Sequence, residues 1–186
     1  MKFAGKQGVV SHVKPPRYFA EFRNVLQEQK PGICLERLKA LRGLDFLGKK
    51  IRFNMRIFQR IEKAQNDNRR NACYKNRNWD LLYLMGIVSG MGRQDLDHLI
   101  ARFQLTRLEG ESLRGSTDTA KIIQQLGRKS LSPGDVYQIL SSYNDHVIGF
   151  IYLSTTSSVI KRRIDTFSRK SRFVKLNITG DDLKPL

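Results

Sequence analysis

WDLLYLMGIV, residues 79–88, is the stretch on which the fold turns. Asp80 is its one charged residue, and apolar side chains would occupy nearly every side of the helix it forms. A helix apolar all round has to be surrounded by other elements. The segment falls well short of the ~20 residues that cross a bilayer. It therefore predicts a central core helix with Trp79 buried, closed by the Gly90-Met91-Gly92 turn. Its neighbours carry the spacing of amphipathic helices able to pack on it. Upstream, Pro15-Pro16 are expected to hold the chain out of a helix until Arg17, after which Phe19, Phe22, Val25 and Leu26 line one face. Pro31 opens a second helix, with Ile33, Leu35, Leu38 and Leu41 on its apolar side and a cap at Gly43. Met55, Ile57, Phe58 and Ile61 mark a third, which dissolves into a polar loop over residues 65–70. Downstream, Leu96, Leu99, Ile100 and Phe103 face inward from a helix over residues 95–103, and residues 106–126 continue helically. Ser132-Pro133 gives an N-cap hydroxyl followed by proline at the first helical position. Residues 147–153 and 159–173 complete the set. Strand signals are sparse: there is no Asn-Gly or Asp-Gly hairpin turn, and only residues 174–178 read as a short extended piece. The expected class is all-α, an array of about eight or nine helices of ordinary length.

Composition narrows the function. Among 186 residues, 34 Lys and Arg face 17 Asp and Glu, leaving a net charge of +17 and a pI near 10.3. A chain this basic is built to meet a polyanion, with nucleic acid first and an anionic membrane surface second. The apolar faces match a core rather than an exposed membrane-binding stripe, so no membrane partner is expected. The two cysteines, Cys34 and Cys73, are too few for a disulfide scaffold or a self-contained zinc site. The first thirteen residues contain no long apolar run of the secretory type, and a cytoplasmic location is the expectation.

Enzyme signatures are weak. Gly43 to Lys50 (GLDFLGKK) is one residue from a phosphate-binding loop, but Lys50 replaces the magnesium-binding hydroxyl, and a helix rather than a buried strand precedes it. Asp95 and Asp97 would point about 200° apart on a helix at ~100° per residue, so they suit the helix dipole better than a shared metal ion. His12, His98 and His146 are far apart in sequence, and no Cys/His spacing suits zinc. No nucleophile-elbow pattern occurs.

The basic zones say more. Residues 1–78 hold 19 basic and 6 acidic residues, against 15 and 11 over residues 79–186. Arg52, Arg56, Arg60 and Lys63 run along one helix, followed by Arg69, Arg70, Lys75 and Arg77 around the loop. In the late helix, Lys161, Arg162, Arg169 and Arg172 are placed opposite Ile160, Ile164 and Phe167. A face of one sign repels itself unless a polyanion compensates. These twelve cations are the candidate RNA-binding residues, with Tyr18 and Tyr74 as candidate base-stacking rings.

Two stretches carry a family resemblance. RYFAEF from Arg17, followed by LERLKALRGLDFL from Leu35, resembles the segment after the catalytic domain of bacterial tRNA nucleotidyltransferases (CCA- or A-adding enzymes) and their poly(A) polymerase relatives. ITGDDLKPL from Ile178 resembles the Thr-Gly-x-Asp-Leu signature near their C-terminus. The resemblance implies a basic helical neck and body that hold the acceptor arm of tRNA during 3′-end processing. It also implies that Arg17 and Glu21 brace the neck as a helix-to-helix ion pair. In the family, a head with a Gly-Ser…Asp-x-Asp palm binds two magnesium ions and ATP or CTP. No such pattern precedes Arg17. No catalytic residue, metal ligand or cofactor is therefore assigned to this chain, and a separate catalytic head subunit is an implied partner. The expected organisation is a lead segment over residues 1–14, a basic neck/body part over 15–78, a helical body over 79–178 and the start of a truncated tail over 179–186. The alternative is a basic all-α nucleic-acid or protein interaction module with no enzymatic parent.

Overall fold

In the computed structural model, which describes residues 14–48, 51, 54–67 and 78–173, two prolines start the first helix rather than delaying it. α1 spans Pro15–Leu26, with proline in its first turn. The first N–H groups of a helix have no intrahelical partner, so proline loses nothing there and brings a helical φ. α2 (Pro31–Ala40) begins the same way. A short 3-10 helix at Asp45–Leu47 follows, then α3 (Met55–Asn66), α4 (Trp79–Val88) and α5 (Arg93–Arg102). α6 (Arg107–Thr117) and α7 (Thr119–Leu126) come next, then α8 (Pro133–Leu140), α9 (Asp145–Ser154) and α10 (Ser158–Arg169). A 3-10 turn, Ser171–Phe173, closes the described chain. There are thus ten α-helices and no strand among the described residues, close to the expected number. Residues 174–178, expected to be extended, lie outside them.

Local chemistry fixes most boundaries. Asn54, Asn78, Asn144 and Ser157 each accept a backbone N–H in the following first turn. Thr106 with Glu109, and Ser132 with Asp135, form reciprocal capping boxes, which satisfy two otherwise orphaned donors each. The helix expected to run unbroken through residues 106–126 divides at Asp118. Ser116 and Thr117 donate their hydroxyls to the carbonyls of Leu113 and Arg114, both at 2.7 Å, and such back-bonding bends helices. α2 ends with Arg42 in the left-handed region at φ 57°. The Gly43 N–H reaches back to the Leu38 carbonyl at 2.7 Å, so the cap expected at Gly43 falls one residue earlier, on a side chain that tolerates the strain.

α4 is the hub. Every residue from Leu81 to Val88 is buried, and α1, α3, α6 and α9 all pack against it. α9, the second apolar helix, touches α3, α4, α6, α7 and α10. Glycines set the closest approaches. A Cβ on Gly86 would stand 2.9 Å from Phe58 Cε1, and one on Gly115 would stand 2.6 Å from Val147 Cγ2. Trp79 is only half-buried, at the exposed start of α4; the deep aromatic positions belong to Phe58 and Tyr83. One hydrophobic core runs from Phe19 to Phe167, crossing the division expected at residues 78/79. That division is a change of charge, not of packing.

Candidate nucleic-acid interface

The cations sort into two kinds once their surroundings are known. On α3, Arg56 and Lys63 are exposed. Seven residues apart, they project within about 20° of each other at ~100° per residue, away from buried Ile57, Phe58, Ile61 and Ala64. Arg60 behaves differently. Its Nη1 donates to the carbonyls of Leu153 at 3.2 Å and Ser154 at 3.0 Å. It therefore caps the C-terminus of α9, where the macrodipole favours a cation. The expectation that Arg60 belongs to an outward stripe is corrected accordingly.

α10 repeats the pattern. Arg162 and Arg169 are exposed and sit opposite Ile160, Ile164 and Phe167, as expected. Lys161 instead lies on the flank, its Nζ 5.0 Å from the centroid of the Tyr152 ring. Arg172 lies past the end of the helix, in the 3-10 turn, and is ion-paired with Asp145. The stripe of four is therefore a pair. Arg163, not singled out from the sequence, donates to the Leu126 carbonyl and to those of Arg128 at 2.8 Å and Lys129 at 3.3 Å, tying α10 to the end of α7. Its angular position beside Ile160 and Phe167, about 60° and 40° away at ~100° per residue, was the available signal. A cation that close to a core stripe reaches protein carbonyls more readily than solvent.

Arg60 and Lys161 meet the same short segment, residues 152–154 of α9. Two basic zones separated by about a hundred positions in sequence thus converge on one end of one helix. Arg52, Arg69, Arg70, Lys75, Arg77 and Tyr74 lie outside the described residues, as does the stretch from Ile178. Tyr18 is no free stacking ring: it is half-buried and packs edge-on against Phe46, with centroids 4.6 Å apart.

The neck brace is also reassigned. Arg17 and Glu21 are both exposed, no ion pair joins them among the described residues, and Glu21 accepts a hydrogen bond from Asn24 at 3.3 Å within α1. The helix-to-helix pair is made two residues further on. Arg23 is ion-paired with Glu109 at the start of α6 and lies 3.9 Å from Asp80 at the start of α4. Burial alone would raise the Glu109 carboxyl. Hydrogen bonds from Arg23 and from the Thr106 backbone and hydroxyl, with the Arg23 charge, outweigh it and hold the carboxyl below its ordinary value. A carboxyl depressed in the folded state stabilises the fold fully above its unfolded pKa of about 4.3, and that stabilisation is lost as the pH falls through the folded value. Urea unfolding should show Glu109→Gln weaker than the wild type by about 1–3 kcal/mol at pH 7, with the gap closing below about pH 4. A gap that persisted unchanged at pH 3 would show that Glu109 acts through packing alone.

Among the described residues, no group of three or more His, Cys, Asp or Glu is placed to hold a metal ion. Gly43 to Gly48 forms a helix cap and a 3-10 turn, a geometry unlike a strand-to-helix phosphate loop. No helix is long and apolar enough to cross a membrane among the described residues.

The all-α fold with this helix order is shared with solved structures of much longer chains. A solved tRNA-processing enzyme in its apo form matches with a TM-score of 0.70 and 19% identity, covering 99% of this chain and 49% of that one. A CCA-adding enzyme in complex with CTP matches with a TM-score of 0.71 and 16% identity, covering 99% of this chain and 44% of that one. At these identities the likeness is one of fold, and the chain spans about half the length of the structures it matches. The sequence matches no protein-family model and no curated protein sequence.

Proposed function

We propose that this chain is the RNA-holding helical portion of a tRNA nucleotidyltransferase/poly(A) polymerase-type enzyme, gripping the acceptor arm of tRNA for 3′-end processing while catalysis belongs to a head domain or subunit. The observation that carries this reading is the convergence of the two basic zones on the C-terminal end of α9, within a fold shared with tRNA-processing enzymes. Arg56 and Lys63 on α3, with Arg162 and Arg169 on α10, present exposed positive charge to solvent. Such cations hold phosphates by releasing counterions and carry no base information. An A-form arm is held by its shape and backbone in just this way. The partner is therefore tRNA, held with little regard to its sequence, and magnesium and ATP or CTP would bind the head.

The test is to mix the purified chain with tRNA lacking its 3′ end, magnesium, ATP and CTP. Expected is tRNA binding that weakens steeply with salt, with no labelled nucleotide incorporated. Absence of binding would overturn the RNA-holding role, and incorporation by the chain alone would overturn the assignment of catalysis to a head.

A further inference from the structure

Between α3, the α6–α7 junction and the end of α9 lies a cleft of about 380 Å³, within the ~300–1,000 Å³ range of small-ligand sites. Its polar wall is unusual in what it can offer. Ser89, Ser116, Thr117 and Ser154 line it, and each donates its hydroxyl proton to a carbonyl one turn back in its own helix, at 3.2, 2.7, 2.7 and 2.7 Å. A hydroxyl has one proton and two lone pairs, so these four oxygens face a ligand as acceptors. Arg56 and Arg60 line the same cleft. Arg60 reaches α9 through Nη1, and among the described residues neither its Nε and Nη2 protons nor the Arg56 side chain has a hydrogen-bond acceptor. Thr119 completes the wall: only 8% exposed, it carries an Oγ1 without a hydrogen-bond partner.

Cationic donors beside acceptor-only oxygens call for a ligand that is anionic at one end and a hydrogen-bond donor at the other. We propose that the cleft takes one ribonucleotide unit of the bound RNA, with its phosphate on Arg56 and the free edge of Arg60 and its ribose 2′-hydroxyl donating to the serine and threonine oxygens. Ile57, Ile123 and Phe150 supply the apolar wall for the sugar. The proposal rests on the RNA-holding reading and adds to it a means of distinguishing RNA from DNA, since the 2′-hydroxyl is the group DNA lacks.

The experiment compares the affinities of the full chain for an acceptor-arm RNA minihelix and for a DNA hairpin of the same sequence. Thr117→Val with Ser154→Ala removes two acceptors at little change in volume. The double variant should lose roughly tenfold in RNA affinity while DNA affinity stays constant, the constant DNA affinity showing that the fold is kept. Arg56→Gln should weaken both nucleic acids by similar factors. An unchanged RNA-to-DNA ratio in the double variant would overturn the inference while leaving the RNA-holding role intact. Failure of the wild type to bind RNA at all would overturn both. AMP is the third arm: AMP binding that the same substitutions weaken, with RNA affinity unmoved, would assign the cleft to free nucleotides and contradict the proposal.

Discussion

Replacing Arg56, Lys63, Arg162 and Arg169 together with glutamine should flatten the slope of log affinity for tRNA against log salt by about 3, since each phosphate contact contributes roughly 0.7 to 0.9. The α3 pair and the α10 pair should each account for about half of it. Because the slopes converge at high salt, the loss in affinity is greatest at low salt. It should be alike for tRNAs of different sequence, because backbone contacts do not read bases. All four side chains are exposed, so each change should move stability by no more than ~0.5 kcal/mol. Arg163→Gln is the contrasting variant. It breaks three bonds to the carbonyls at the end of α7 and should lower the urea midpoint, while leaving the salt slope nearly unmoved. A quadruple variant with the wild-type slope would show that these faces are merely solvated.

Phe58→Ala should cost about 3–5 kcal/mol, and the loss should spread through the whole chain. Phe58 is fully buried, stacks near Tyr83 with centroids 5.9 Å apart, and fills the space that the missing Cβ of Gly86 leaves open. It is thus one of the contacts by which the basic N-terminal helices join the body. Urea unfolding read by Trp79 fluorescence and by far-ultraviolet circular dichroism should give coincident transitions, as a single cooperative unit does, both shifted to lower urea by the substitution. Two separate transitions, with Phe58→Ala moving only one, would mean that residues 15–66 fold apart from the body.

Much of this was legible from residue order alone. Trp79 to Val88 announced the hub because nothing polar interrupts it after Asp80, and Ser132-Pro133 announced α8 because capping chemistry is local. Asp118 could not be foreseen as a break from apolar spacing, which continues smoothly through Ile122 and Leu126; the bend comes from hydroxyls donating back to the helix. The cations were the hardest to read. Arg60 and Arg163 look like Arg56 and Arg162 in sequence, but what each binds depends on which helix end lies next to it. That is decided by packing between segments tens of residues apart. The brace failed for a related reason: Arg17 and Glu21 have the right spacing for one another, whereas Arg23 finds its partners, Glu109 and Asp80, only across the fold.

The central claim, that the exposed cations of α3 and α10 hold an acceptor arm, is tested most directly by competition between two RNAs of equal length and charge. One is a minihelix carrying the acceptor stem and its stacked neighbouring arm, the other a hairpin carrying the anticodon arm extended to the same number of base pairs. Net charge alone binds both equally, whereas a shaped grip does not. The predicted result is a preference of about tenfold or more for the acceptor minihelix, equivalent to about 1.4 kcal/mol, reduced when Arg56, Lys63, Arg162 and Arg169 are replaced. Equal affinity for the two RNAs would contradict it.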